Sequence, residues 1–301
     1  MKIKNFYFII LLFSLLFAVP DKQLEMDNIH VYYAEKDARI AQISLEIVQK
    51  QQLRLRDQYK LDINPIHIYI ADNKDIYRQY SGTSSPVWSV GLASDDKMLV
   101  KSPSFSRQNL NDFQKTLLHE TAHLAVSGIP LPVWFNEGFA QYEAGQFDLH
   151  KRILVSRAFW RQDLMWAHEI EYLMQINRGK AEIAYAQSVA MVDYLINYFG
   201  VELVGKCLLF SKEYQNFEKG FKNAFLMDPD KFEKHWREKT KDRYRFYILL
   251  DQNNLIWILS PILLIIGFIL TKTRRRYLLK KWEQEELEND SLSTEGKNIE
   301  N

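Results

Sequence analysis

Residues 119–123 read HETAH, and residues 134–140 read WFNEGFA. An α-helix has about 3.6 residues per turn, so His119 and His123 project from one helix face and can reach the same ion. Glu137, in the second stretch, is a candidate third ligand, because two histidines and one glutamate are a common donor set for catalytic zinc. The two stretches therefore predict a zinc site shared by two neighbouring helices.

The acid between the two histidines has a different predicted role. Catalytic zinc takes three protein ligands, leaves one position to water and lowers the pKa of that water towards neutrality. Glu120 follows His119 directly and is placed to take the proton of this water instead of binding the metal. It would then pass the proton to the leaving amine. The predicted chemistry is hydrolysis by a metal-activated water, with Glu120 as general base.

Local sequence signals predict the two helices that carry these groups. Asn111, with Gln114 three residues later, resembles a capping box and predicts a first helix over residues 112–127. Pro132 suits the first turn of a second helix, and Gly145 is a suitable end for it. Both metal-binding stretches then lie inside helices.

The HETAH and WFNEGFAQY segments resemble the gluzincin zinc metallopeptidases, especially the compact peptidase-MA-like family and more distantly the aminopeptidase-N-like enzymes. The resemblance extends over about residues 60–240 and includes the segment YAQS at residues 185–188. It implies a zincin-like domain, a Zn²⁺ cofactor, and a peptide or protein substrate held in extended form by an edge strand. The implied roles are zinc ligand for His119, His123 and Glu137, and general base for Glu120.

Two positions remain open beside this resemblance. Tyr185 is a candidate for stabilising the oxyanion through its phenol, but it is equally an ordinary aromatic residue of an amphipathic helix core. Gln141 stands where thermolysin-like enzymes carry an aspartate that orients a histidine, and its amide can accept from an imidazole N–H. No segment resembles the acidic pocket that binds a substrate's free amino terminus in aminopeptidases, so we expect an endopeptidase. Cys207 is the single cysteine, which excludes an intrachain disulfide.

The two ends of the chain predict a membrane protein. Residues 1–20 are a basic start followed by an apolar run, typical of a signal peptide or an uncleaved amino-terminal anchor. Residues 255–271 are apolar and are followed by the basic segment 272–276, which predicts a transmembrane helix with its basic flank in the cytoplasm. Residues 272–301 should be a disordered cytoplasmic tail. The domain of residues 21–251 would then face the extracytoplasmic side.

The predicted fold class is α+β, with a small amino-terminal sheet beside a mainly helical carboxyl-terminal lobe and one transmembrane helix after it. Residues 34–59 have helical apolar spacing, and strands are expected at residues 66–70, 87–93 and 97–100. From Asn111 onward nearly every segment has a helical period.

Charge and composition narrow the function further. Lys plus Arg total 39 and Asp plus Glu total 38, so no strong positive field favours nucleic acid. The leading hypothesis is a membrane-anchored zinc metallopeptidase. The alternative is a non-catalytic, zinc-containing membrane module that binds a peptide or partner without cutting it. The sequence does not predict an oligomeric state.

Overall fold

The computed structural model describes residues 22–81, 90–172, 178–250 and 252–299. The chain divides into two compact units, of which the first ends at Arg243 and the second begins at Tyr244. The predicted signal peptide or anchor at residues 1–20 lies outside the described residues.

The first unit contains a five-stranded sheet with the order β1-β2-β3-β5-β4. The inner strands β2, β3 and β5 run parallel, while β1 and β4 pair antiparallel at the two edges. The strands are β1 (Lys22–Met26), β2 (Ile29–Tyr33), β3 (Ile66–Ala71), β4 (Gly91–Ser94) and β5 (Lys97–Lys101). The strands expected at residues 66–70 and 97–100 are confirmed, and β4 overlaps the region expected at 87–93, of which residues 87–89 lie outside the described residues. β1 and β2 were not predicted from the sequence. β1 is exposed along most of its length and so has no alternation of buried and exposed residues.

One face of the sheet forms part of the core because its side chains alternate. Ile66, Ile68 and Ile70 of β3 are buried, whereas His67 and Tyr69 between them are only partly buried. Successive side chains of a strand point to opposite faces, so the isoleucines share the inner face.

The helix predicted from the apolar spacing of residues 34–59 is confirmed. A short 3-10 helix at Glu35–Asp37 leads into α1 (Ala38–Tyr59), which buries Leu45, Val48 and Leu55 along one side. The helix ends at Lys60, which adopts a left-handed conformation with φ of 60°.

Helices dominate the rest of the chain. They are α2 (Lys74–Ser81), α3 (Pro103–Ser106), α4 (Leu110–Ala125), α5 (Val133–Glu143), α6 (Leu149–Arg161), α7 (Ala167–Ile170), α8 (Arg178–Phe199), α9 (Val201–Tyr214), α10 (Phe217–Phe225), α11 (Pro229–Arg245) and α12 (Gln252–Ile299). A 3-10 turn at Tyr247–Leu250 precedes α12 in the second unit.

The helix that carries the HETAH stretch begins two residues before its predicted start. The capping residue is Asn109 instead of Asn111, and its side-chain oxygen accepts from the backbone N–H of Asp112 at 2.9 Å. Two asparagines at this point are both able to cap a helix, and the extended backbone of Asn109 decides between them. The end of α5 fits the expected stop, because Gly145 directly after it has a positive φ of 63°.

Close packing fixes α5 against α8. A Cβ atom added to Gly138 of α5 would lie 2.4 Å from the backbone oxygen of Ser188 in α8. Only glycine lets the two backbones approach this closely. The other motif helix, α4, packs against α1, β4, β5 and α5. The two motif helices therefore lie between the sheet and α8.

The fold class requires a correction. The structure is mostly helical, at 71%, with a small sheet, and it does not support the transmembrane helix that was predicted after them. Of the helices in the described part of the chain, none combines the length and the apolar character needed to cross a membrane. The predicted span at residues 255–271 and the single-pass membrane localisation are therefore wrong. A transmembrane helix requires about 17–25 consecutive apolar residues. The apolar stretch 255–271 is at the lower end of that range, and α12 continues directly from it into the basic segment 272–276. Residues 272–299, expected to be disordered, continue the same helix.

Candidate metal centre

The two motif histidines converge on one point. His119 and His123 lie one turn apart on α4, and their Nε2 atoms are 3.0 Å from each other. The rings are nearly perpendicular, with an interplanar angle of 82°, so both nitrogens approach the same space from different directions. This is the arrangement that the i,i+4 spacing predicted.

Glu137 of α5 completes a three-residue donor set. Its Oε2 atom is 3.8 Å from Nε2 of His119, and its Oε1 atom is 3.8 Å from Nε2 of His123. One donor atom from each residue lies within 4.8 Å of the other two. Tetrahedral zinc with bonds of about 2.0–2.1 Å places neighbouring donors about 3.3 Å apart. The observed separations lie on both sides of that value, so the three side chains can hold a metal ion.

Gln141 was considered as a hydrogen-bond acceptor for a histidine ring, but in the described residues it does not contact either imidazole. Nδ1 of His123 donates to Oδ1 of Asn136 at 3.0 Å, which leaves Nε2 of the same ring free to bind a metal. Nδ1 of His119 is buried and has no hydrogen-bond partner among the described residues, although the Gln146 side chain is close enough to raise its pKa. Asn136, instead of Gln141, therefore provides the amide oxygen that contacts His123.

Gln141 contacts backbone and a lysine instead of an imidazole. Its Nε2 atom donates to the backbone oxygens of Glu137 and Tyr185, each at 3.2 Å, and its Oε1 atom accepts from Nζ of Lys151. The buried amide thus joins α5 to α8 and to α6.

Burial shifts the pKa values of His119, Glu137 and the neighbouring Glu120. Burial, followed by the charges of His123 and Lys151, lowers the pKa of His119 well below its ordinary value, so the imidazole is in the neutral form that binds metals. Burial raises the pKa of Glu137. Burial and the nearby charge of Glu137 raise the pKa of Glu120 to about 8. A divalent cation at the point where the donors converge would stabilise the charged form of both carboxylates, so the donor set fits such an ion.

Glu120 lies outside the donor set and against the edge strand. It is buried on α4, and its carboxylate occupies the space that a side chain at residue 91 would fill. A Cβ atom on Gly91 would lie 2.5 Å from Oε1 of Glu120. Because Gly91 of β4 has no side chain, the carboxylate of Glu120 can occupy this space.

An open cleft of about 800 Å³ surrounds these groups. This volume lies within the range of about 300–1,000 Å³ that is typical of ligand pockets. Tyr185 lines the cleft from α8, and burial together with the charge of Glu137 raises the pKa of its phenol to about 12, which keeps it protonated at neutral pH. The other walls are residues 90–95 around β4, the motif faces of α4 and α5, and Gln146, His150, Lys151 and Leu154 at the start of α6.

A comparison with known families gives the evolutionary context of this cleft. The family model of the peptidase MA superfamily matches residues 49–242. The chain belongs to the peptidase MA superfamily. It is also 24% identical over 237 residues to the uncharacterized protein YhcO of Bacillus subtilis (strain 168), an alignment that covers 69% of this chain and 68% of the relative. The matched region contains α4, α5 and α8. Membership of this superfamily supports a peptidase-like activity in general terms, without its metal or its substrate.

In this superfamily member, the structure brings three groups to the site that were not predicted from the sequence. Asn136 precedes Glu137 in the sequence, and its position beside a ligand was the available signal. Gly91 and Lys151 carry no local signal, because the first matters through the close approach of β4 to α4 and the second through the packing of α6.

Proposed function

We propose that this protein is a zinc metallopeptidase of the gluzincin type. The observation that carries the proposal is the convergence of two imidazole nitrogens and one carboxylate on a single point, with a second acid beside them and outside the donor set. His119, His123 and Glu137 would hold the zinc, and Glu120 would act as general base. A structural zinc site usually has four protein ligands and does not require the adjoining acid.

The bound zinc would supply an activated water and polarise the carbonyl of the scissile peptide bond. A carboxylate oxygen of Glu120 takes one proton during attack and returns it to the nitrogen of the leaving amine. The carboxylate packs closely against the backbone of Gly91, which limits where this proton acceptor can lie.

Two further elements support a peptide as the substrate. The phenol of Tyr185 is protonated in the cleft and can donate to the oxyanion that develops on the scissile carbonyl. β4 pairs with β5 alone in the described sheet and forms part of the cleft wall. An extended peptide can add to such an edge through main-chain hydrogen bonds.

The rival hypothesis of a non-catalytic zinc module loses its motivation. It rested on the absence of an orienting partner at Gln141, and Asn136 provides that contact to His123. Nothing in the described cleft requires a purely structural metal.

Zinc content measured on the purified full chain tests the donor set. Wild-type protein should bind one equivalent of zinc, and His123→Ala should lose most of it. His150→Ala is the matched control, because His150 lines the cleft without belonging to the donor set, and it should retain zinc. Equal zinc in the wild type and His123→Ala would refute the site.

Hydrolysis of a peptide library tests the base. Glu120→Gln should keep its zinc and lose activity by about 10² to 10⁴-fold, the usual contribution of a general base. Wild-type rates in this variant would remove Glu120 from the mechanism while leaving the zinc site intact.

A further inference from the structure

Lys151 brings a positive charge into the wall of the metal cleft. It lies in the first turn of α6, and its backbone N–H is capped by the side chain of Asp148 at 3.0 Å. Its side chain lines the cleft together with His119 and Tyr185, and it is only partly exposed.

The lysine ammonium has a neutral partner instead of an acidic one. Nζ donates to the amide oxygen of Gln141, and in the described part of the chain Lys151 forms no salt bridge. An ammonium has three N–H donors, so two remain for other acceptors. Burial lowers the pKa of Lys151 to about 8, which leaves most of the side chain charged at neutral pH.

The surrounding charges do not provide a dedicated counter-ion. Asp148 and Glu137 favour the charged form of Lys151 through space, and Lys115 opposes it. Asp148 is used as the helix cap, and Glu137 faces the two histidines. Asp95 and Glu182 also line the cleft, but both are exposed.

A partly buried ammonium whose hydrogen-bond partner is a neutral amide has a cost in desolvation free energy, and a nearby anion offsets that cost. Charge-assisted hydrogen bonds from an ammonium to a carboxylate are roughly twice as strong as those to a neutral acceptor. A ligand that carries a carboxylate into the cleft therefore gains more at Lys151 than its uncharged analogue does.

We infer that Lys151 is a specificity-determining residue that binds a carboxylate of the peptide substrate close to the scissile bond. The inference rests on the proposed function for the nature of the substrate, and it adds the chemical class that the cleft selects. The carboxylate belongs either to an acidic side chain or to the carboxyl terminus of the substrate, and both offer the same two oxygen acceptors.

Cleavage profiling of the zinc-loaded full chain on a proteome-derived peptide library is the first test. Wild-type protein should favour peptides with Asp, Glu or a free carboxyl terminus next to the cut, and Lys151→Gln should lose this preference. For a selected acidic peptide we expect kcat/KM to fall about 10- to 100-fold, mainly through KM, since hydrogen bonds to charged groups contribute this much. Lys151→Arg should retain the preference.

Paired synthetic peptides distinguish the two sources of the carboxylate. Exchange of Glu for Gln beside the cut removes the side-chain acid, and carboxyl-terminal amidation removes the terminal one. The exchange that reduces cleavage by wild-type protein and has no effect on Lys151→Gln identifies the group that Lys151 binds.

Binding measurements separate this inference from the proposed hydrolysis. Fluorescence anisotropy in the Glu120→Gln background uses labelled random hexapeptide pools that differ in a fixed Glu or Gln, each with a free or amidated carboxyl terminus. Lys151→Gln should weaken binding of the carboxylate-rich pools and leave the neutral pool unchanged. Lys206→Gln is the matched control, because Lys206 is an exposed lysine of α9 that does not line the cleft.

The outcomes are distinct. If no peptide is cleaved but carboxylate pools bind in a Lys151-dependent way, the hydrolytic function fails, while the binding of a peptide carboxylate by Lys151 stands. An unchanged cleavage profile in Lys151→Gln overturns the inference and leaves the function intact. Equal affinity for all pools, or no binding to any of them, also overturns it. Zinc content and melting temperature equal to those of wild type confirm that Lys151→Gln is folded.

Discussion

Replacing Gly91 with alanine tests whether the backbone of β4 sets the position of the proposed general base. The added Cβ would lie 2.5 Å from Oε1 of Glu120 and 2.8 Å from both Cδ and Cγ. Carbon atoms in contact are normally separated by about 3.5–4.0 Å. Because Cγ is crowded as well as the carboxylate, rotation about the last side-chain bond cannot relieve the overlap. The whole side chain of Glu120 has to shift by roughly 1 Å to restore that contact distance.

A shift of this size has a predictable effect on the rate. Misplacing a reacting group by about 1 Å can slow a reaction about 100-fold, so we expect Gly91→Ala to lower kcat/KM by about that factor. The three nearest atoms to the added Cβ all belong to Glu120, so zinc content should equal that of wild type. Overpacking of this kind destabilises a protein by about 1–3 kcal/mol, which should lower the melting temperature without preventing folding.

Steady-state hydrolysis of one peptide from the library, measured beside zinc content, is the assay. The set comprises wild type, Gly91→Ala, Glu120→Gln and the double variant. Because Gly91 acts through Glu120, the double variant should be as slow as Glu120→Gln alone, since residues in contact are not additive. Wild-type activity in Gly91→Ala, or losses that add in the double variant, would refute the reasoning.

Three other substitutions test the supporting contacts. Asn136→Ala should weaken zinc affinity about 10- to 100-fold, because His123 loses the partner that fixes its ring; a competition titration with a chelator measures this, and unchanged affinity would contradict it. Tyr185→Phe should lower kcat about 10²- to 10³-fold at unchanged zinc content if its phenol serves the oxyanion, whereas an unchanged kcat with a lowered melting temperature would assign the residue to packing. Gly138→Ala places a Cβ 2.4 Å from the backbone oxygen of Ser188 and should destabilise the fold by about 1–3 kcal/mol, measured by urea unfolding; wild-type stability would show that α5 and α8 can separate freely.

Individual helices and strands could be predicted from the sequence where their apolar side chains repeat over a few residues. The apolar spacing of α1 and the alternation of β3 were both predicted. The start of α4 was misplaced because two asparagines can cap the same helix, and only the backbone conformation distinguishes them. β1 was missed because it is a largely exposed edge strand that pairs with a neighbour and contributes little to the core.

The membrane prediction failed for a reason that is also physical. The apolar stretch at residues 255–271 was judged by composition and by its basic flank, without regard to the helix in which it lies. In the structure that helix extends through Ile299, and no described helix is long and apolar enough to cross a membrane. The hydropathy of a short stretch does not give the length or the apolar character of the whole helix that contains it.

The sequence by itself predicted the three side chains that the structure brings together, His119, His123 and Glu137. The i,i+4 spacing of His119 and His123 depends only on helix geometry, and the acid in the next helix follows from the same local signals. Tertiary structure alone decided that Asn136 contacts His123, that the glycine of β4 makes room for Glu120, and that Lys151 reaches the cleft. The reason is range: helical periodicity acts over a few residues, whereas these three contacts depend on how separate elements pack, which no single stretch of the chain encodes.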